Sequence, residues 1–130
     1  MPSVFSQIIH RKIPANIVFE NKECIAFMDI MPIQKGHVLV VPKLEVDNIF
    51  DLPLDVYNEL FSFARKVSFG VQKVLDCKRV GISVIGFEVP HAHIHLIPMN
   101  NINDMNFKKK MIMKEDEIRL IADKISKALL

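Results

Sequence analysis

Three of the five histidines in this 130-residue chain occur at alternate positions in one short segment, as His91, His93 and His95. The residues that alternate with them are all apolar. Successive side chains of a β-strand point to opposite faces, so this spacing predicts a strand over residues 91–97 with three imidazoles on one face. Pro98 has no N–H and is expected to end the strand.

A row of imidazoles suits nucleophilic catalysis. A neutral imidazole can attack an activated phosphorus or acyl centre near pH 7, provided that its other ring nitrogen is held by an acceptor. The two flanking histidines could donate to phosphate oxygens or to a leaving group. Imidazoles that lie close together also disfavour each other's protonation. A purely structural role is less favourable, because each buried ring would need its own partner.

A metal site is the alternative chemistry for the same residues. Histidines two apart on a strand can bind one zinc ion, with Zn–N distances of about 2.0–2.1 Å. The outer two rings, however, start roughly 13 Å apart at about 3.3 Å per residue. A zinc site would therefore need His37 or a carboxylate from elsewhere in the chain. We expect no metal and no cofactor, and keep a histidine-rich metal-binding protein as one alternative.

The rest of the chain predicts the elements that must position these residues. Apolar periodicity indicates an α+β order of α-β-β-β-α-β-β-α. The predicted helices are residues 3–12, 51–75 and 114–130, and the predicted strands are residues 16–20, 23–29, 37–41, 79–84 and 91–97. Ser3 and Asp51 are expected to cap the first two helices, and Pro14 to close the first. The apolar run that begins at His37 predicts a central strand buried on both faces.

Hairpins and a long crossover helix indicate one domain over residues 1–130 with a mainly antiparallel sheet. Residues 1–98 would form the core with the histidines, residues 99–113 a long loop and residues 114–130 a final helix.

The composition gives no indication of a polyanionic or membrane partner. The chain has 17 basic and 15 acidic residues, a net charge of +2 and a mean hydropathy of +0.22, so nucleic acid is not expected. The lysines at 108–110 resemble a solvated loop. No apolar run approaches the roughly 20 residues that span a bilayer, and the first eleven residues lack the apolar core of a signal peptide. The isolated Cys24 and Cys77 predict reduced core residues in a cytoplasmic protein.

The segment His-Ala-His-Ile-His-Leu-Ile resembles the histidine-triad pattern of the HIT family. Residues 5–14, 26–32 and 36–43 resemble other segments of that family, in the same order. The resemblance implies an α+β fold with a five-stranded sheet, joined across a homodimer. It also implies a purine nucleotide such as AMP as the bound moiety, with hydrolysis or transfer at the α-phosphorus of a nucleoside phosphoramidate or a dinucleoside polyphosphate.

By position, the resemblance makes His93 the nucleophile that forms a nucleotidyl-histidine intermediate. His95 and His37 would contact the phosphate or its leaving group, and His91 would support the triad. Asp29 would bind the ribose hydroxyls, although an acid at a strand end is equally typical of a turn cap. Six apolar residues would line the base pocket, although such residues are more often simply core: Val4, Phe5, Ile8, Phe27, Ile30 and Leu39.

The segment before the triad departs from the family. Gly86 and Val89 match, but Glu88 stands where a hydroxyl would donate toward the phosphate, next to Val89 at the nucleotide site. A carboxylate there would repel a phosphate unless it turns away, is protonated or pairs with a base. A non-catalytic nucleotide-binding or partner-binding HIT module is therefore the first alternative, ahead of the metal-binding protein. Ser3 and Ser6 stand where some members have a zinc-binding Cys-x-x-Cys, which argues against that zinc.

Overall fold

Five antiparallel strands form one sheet in the order β1-β2-β3-β5-β4 in the computed structural model, which describes residues 2–130. The strands are β1 (Ile17–Glu20), β2 (Cys24–Met28), β3 (Val38–Pro42), β4 (Arg79–Ser83) and β5 (Ile94–Met99). The helices are α1 (Val4–Ile9), α2 (Leu54–Val74) and α3 (Glu115–Ala128). Short 3-10 turns occupy Ile49–Asp51 and Ile102–Asp104. The predicted α+β class and antiparallel sheet are confirmed.

Each face of the sheet is covered by a different set of elements. The larger core lies between the sheet and the helices α2 and α3, and it contains Ala92, Ile94 and Leu96. The smaller core lies between the sheet and α1. The predicted alternation is therefore confirmed, because the apolar residues between the histidines point to the larger core and leave the imidazoles to the α1 side. Strand β3 is central and buried along its whole length, as predicted.

The predicted strand over residues 91–97 is wrong at its start, because β5 begins only at Ile94. His91 and His93 lie in the segment that leads into the strand. There the main-chain N–H of His91 donates to the Val89 carbonyl (2.8 Å), and that of Ala92 to the Val46 carbonyl (2.7 Å). These groups bond to loops instead of a neighbouring strand, so only His95 of the triad sits in the sheet.

Pro98 does not end β5, which continues to Met99. Pro98 pairs with Val80 of β4, whereas the pairing of β5 with β3 stops at Leu96. One side of the strand is open beyond that point, and an open edge tolerates a residue without an N–H.

The first two helices are shorter than predicted, for local reasons. Ser3 caps α1 as expected, but the helix ends at Ile9, and Arg11 reverses the chain with a φ of 60°. Pro14 is thus not what closes it. Helix α2 begins at Leu54 and not at Asp51, which lies in a 3-10 turn. Pro53 sets this start, since a residue before proline disfavours the helical region.

The C-terminal part follows the predicted order of a loop and a helix, with α3 ending at Ala128. Cys24 is a core residue, but Cys77 is only half-buried, so the prediction of two core cysteines is half wrong. Between residues 2 and 130, none of the helices combines the length and apolar character that crossing a bilayer requires.

Candidate active site

The His93 ring is held by the main chain of its own segment. Its Nδ1 lies 2.7 Å from the His91 carbonyl, and a carbonyl only accepts, so Nδ1 carries the proton and Nε2 carries the free lone pair. Nε2 makes no hydrogen bond to any of residues 2–130. Among these residues, every side-chain nitrogen or oxygen that is fully buried has a hydrogen-bond partner, so Nε2 is not one of the fully buried atoms. The Nε2 lone pair of His93 is therefore open to solvent.

His91 is fully buried and bonded through both ring nitrogens. Its Nε2–H donates to the Pro42 carbonyl (2.8 Å) at the end of β3. Its Nδ1 consequently accepts, and the donor is the Ser3 hydroxyl at 2.7 Å. His91 thus connects the N-cap of α1 to the central strand.

His37 and His95 form the second half of the cluster. The Ile33 N–H donates to Nδ1 of His37 (3.1 Å), which places the proton of the neutral His37 ring on Nε2. That proton is donated to Nδ1 of His95, 2.9 Å away. The remaining proton of His95 is therefore on Nε2, which has no partner among residues 2–130 and faces outward as a donor.

Asp29, His37 and His95 are the described residues that come closest to a metal site. Each offers one ligand atom, and these atoms lie within 4.8 Å of one another. A metal would require a lone pair on His37 Nε2, but the Ile33 N–H occupies Nδ1 and leaves the proton on Nε2. The donor set therefore suits a chain of hydrogen bonds better than a cation.

Burial keeps all four rings neutral. Desolvation, reinforced by the other rings, lowers the pKa of His37 to about 3 and that of His95 to about 4. Burial also lowers the pKa of His91 and His93, against the opposing effect of the carbonyls to which they donate. A neutral His93 is the form that can act as a nucleophile.

A cavity of about 230 Å³ opens beside His93 and His95. Its walls include every residue that the sequence assigned to a nucleotide site: Asp29, Val4, Phe5, Ile8, Phe27, Ile30, Leu39, Glu88 and Val89. The sequence reasoning did not assign Ile13, Pro14, Ala15 and Met28, which also line it. His91 and His37 stand behind this wall and contact it through His93 and His95. The arrangement brings an apolar pocket against two imidazoles, while the assigned roles stay predictions.

Asp29 sits at the rim of this cavity, where β2 ends. Its Oδ1 accepts the Met31 N–H (2.9 Å), and its Oδ2 lies 3.6 Å from His37 Nε2. Desolvation is the main cause that raises its pKa. Asp29 thus does cap a turn, and its second oxygen remains free to accept from a ligand.

Glu88 does not face the cluster as an unpaired charge. Lys110 Nζ lies 3.0 Å from its carboxylate, and Glu88 is well exposed at the cavity edge. The repulsion expected between Glu88 and a phosphate is therefore offset by a lysine from the loop over residues 99–113.

A HIT domain model matches residues 10–102 of the chain. An uncharacterized HIT-like protein of Methanocaldococcus jannaschii is 38% identical over 106 residues, which cover 73% of this chain and 77% of that protein. The chain belongs to the HIT family. An asymmetrical bis(5'-nucleosyl)-tetraphosphatase of Schizosaccharomyces pombe is 33% identical over 99 residues, or 71% of this chain and 54% of that enzyme. The crystal structure of a Hit-like protein from Bartonella henselae, described as involved in cell-cycle regulation, superposes with a TM-score of 0.86 at 28% identity, covering 97% and 95% of the two chains.

Some residues at the site of this HIT protein lie outside the matched region. The Phe107 ring packs 4.7 Å from that of His95 and 6.2 Å from that of His37, measured between centroids. Sequence reasoning missed Phe107, because the loop that carries it has no period, and it placed Lys110 in a solvated loop. A clue was available in the acid Glu88, which needed a basic partner.

Proposed function

We propose that this HIT protein binds a purine nucleotide and cleaves it at the α-phosphorus, as a hydrolase or transferase, through a nucleotidyl intermediate on His93. The observation that carries the proposal is the orientation of the His93 ring. Its Nδ1–H donates to the His91 carbonyl at 2.7 Å, and its Nε2 lone pair is open beside a nucleoside-sized apolar cavity. A HIT relative that is a dinucleoside tetraphosphatase supports the same class of reaction.

The proposed reaction has two steps. Nε2 of His93 attacks the α-phosphorus, a P–N bond forms, and the bond to the leaving group breaks as that group takes up a proton. Water then attacks the phosphorus, the P–N bond breaks, and one proton is released, so the sum is hydrolysis by one water. The Nε2–H of His95 donates to a phosphate oxygen, and the His91 carbonyl stabilises the positive charge that His93 carries in the intermediate.

The direct test is release of AMP from an adenosine phosphoramidate, and from a dinucleoside polyphosphate in parallel. His93→Ala should lower the rate by several orders of magnitude. His10→Ala is the matched control, since His10 is the one histidine outside the cluster and is exposed. Denaturation of the wild-type reaction at alkaline pH should trap an adenylated chain, and acid should release AMP from it, because the P–N bond of a phosphorylated histidine is stable to alkali and hydrolysed in acid.

Two results would contradict the proposal. Full activity of His93→Ala would exclude the assigned nucleophile. Tight AMP binding without turnover of either substrate would instead favour the non-catalytic nucleotide-binding module.

We further propose that the protein forms the homodimer that the family resemblance implies, and that β4 lies at its interface. Strand β4 is an edge of the sheet, and large apolar side chains lie exposed on it and just after it: Ile82, Val84, Ile85 and Phe87. Exposed edges and apolar patches of this kind typically mark interfaces. Light scattering should give twice the chain mass, and Ile82→Lys should give a monomer; a monomeric wild type would refute the dimer.

A further inference from the structure

A hydrogen-bonded cluster lies behind the triad, between α1 and the segment after β3. Glu45 Oε1 accepts from the Ser6 hydroxyl (2.6 Å) and from the main-chain N–H of Ser3 (2.8 Å). The Ser3 hydroxyl accepts the Ser6 N–H (3.0 Å) and donates to Nδ1 of His91 (2.7 Å). Ser3, Ser6 and His91 are buried, whereas Glu45 is exposed.

This cluster leads directly to the reacting ring. The Ser3 hydroxyl oxygen accepts the Ser6 N–H, and its single proton is donated to Nδ1 of His91. His91 then has one possible neutral form, with the proton on Nε2 and donated to Pro42. Both ends of the ring are thereby fixed, and so is the His91 peptide whose carbonyl receives the Nδ1–H of His93.

We propose that Ser3, Ser6 and Glu45 are positioning residues for His93. They hold His91 as the Nε2–H tautomer and, through the His91 carbonyl, aim the Nε2 lone pair of His93 at the substrate. The role in catalysis rests on the function proposed above, whereas the control of the His91 tautomer does not.

The Ser3 hydroxyl also separates His91 from a carboxylate. Glu45 Oε1 is 4.0 Å from Nδ1 of His91, and hydrogen bonds, first that from Ser6, lower the Glu45 pKa to about 2. The charged or titratable groups that act on His91 are Glu45 and His93. Without the Ser3 hydroxyl, Nδ1 of His91 would lose its hydrogen-bond donor and face the Glu45 carboxylate. A nearby carboxylate favours protonation of the His91 ring, and the His91 carbonyl would then position the His93 ring less firmly.

The test combines kinetics with nitrogen NMR of the ligand-free, full-length chain. Ser3→Ala should lower kcat by about 10- to 100-fold with KM within about twofold, as expected when a supporting hydrogen bond is lost. The His91 Nδ1 resonance should move toward the protonated value at neutral pH. Ser3→Thr keeps the hydroxyl and the helix cap and should restore both readouts. Ser68→Ala, which removes a half-buried serine on α2, should change neither.

A role limited to docking α1 would give a different result. Helix α1 also carries Phe5 and Ile8 of the cavity wall, so loose docking would raise KM and lower Tm with kcat and the His91 spectrum unchanged; that outcome would overturn the inference. Glu45→Ala provides a second variant at an exposed position, should Ser3→Ala not fold, and should lower kcat by about tenfold. Wild-type kcat and ring spectra in Glu45→Ala would also overturn it. If the wild type shows no turnover, the proposed function fails, and the spectra alone still decide the tautomer.

Discussion

The buried histidines should make folding stability strongly dependent on pH between 7.5 and 5.5. The pKa of His37 is about 3 and that of His95 about 4 in the folded chain, against about 6.5 when unfolded. Below pH 6.5 the unfolded state therefore binds more protons than the folded state, and the free energy of unfolding decreases as the pH is lowered. The stabilisation is fully present above about pH 6.5 and is lost as pH falls toward the folded values.

The stability lost by pH 5.5 depends only on the pKa of histidine in the unfolded chain, because His37 and His95 are still neutral in the folded chain at that pH. Each ring should cost about 1.4 kcal/mol between pH 7.5 and 5.5, and the two together about 3 kcal/mol. That is a large part of the roughly 5–15 kcal/mol that stabilises a typical domain. Urea unfolding at the two pH values measures this difference directly.

A matched variant isolates the contribution of one ring. His37→Gln keeps a donor toward His95 and should reduce the pH-dependent loss by about 1.4 kcal/mol. His10→Gln removes a histidine outside the cluster and should keep the wild-type dependence. Burial raises the pKa of Asp29, so Asp29 changes the pH dependence of stability in the direction opposite to the histidines. Comparing the wild type with His37→Gln cancels the Asp29 contribution and isolates that of the histidine. The proposal that the buried histidines are neutral would be refuted if the wild type and His37→Gln lost the same stability between pH 7.5 and 5.5. It would also be refuted if the wild type lost less than about 1 kcal/mol.

Two further predictions concern the loop over residues 99–113. Lys110→Met leaves Glu88 unpaired beside the proposed phosphate site and should raise the nucleotide KM by about fivefold, which corresponds to the free energy of a surface ion pair. Lys109→Met is the control and should leave KM unchanged. Equal KM values in the two variants would show that the Glu88–Lys110 pair does not act on the ligand. Phe107→Ala removes the ring 4.7 Å from His95 and should raise the pKa of that histidine in an NMR titration, because water replaces the aromatic cover; an unchanged titration would show that the sheet alone desolvates it.

The sequence predicted most of what depends on local pattern. Alternation around the triad and the apolar run after His37 predicted which faces are buried, because periodicity reflects the geometry of one strand. Boundaries were less predictable: Pro53 delays α2, and Arg11 ends α1 through a left-handed conformation that nothing in its residue type indicates. The boundary at Pro53 follows from a local rule that the sequence already carries, whereas the conformation of Arg11 does not.

The sequence predicted the parts of the candidate site that lie within single segments. It missed contacts between residues that are far apart in the chain. The cavity residues follow from matched segments of the HIT family. The Ser3–His91 bond, whose partners are 88 positions apart in the chain, and the packing of Phe107 on His95 are products of the folded topology. No spacing rule connects such residues, so their part in the site appears only in three dimensions.

The hydrogen bonds through His37 and His95 run in one direction only. A single main-chain N–H, that of Ile33, starts the series, and each neutral ring passes on one donor until the last proton, on His95, faces the cavity. This end of the pocket can thus bind an anion with a dipole instead of a stored positive charge. If the function proposed above holds, binding of a phosphate at this end of the pocket would be less sensitive to screening by salt than binding by an exposed cation. A nucleotide product would then leave without separating a fixed ion pair.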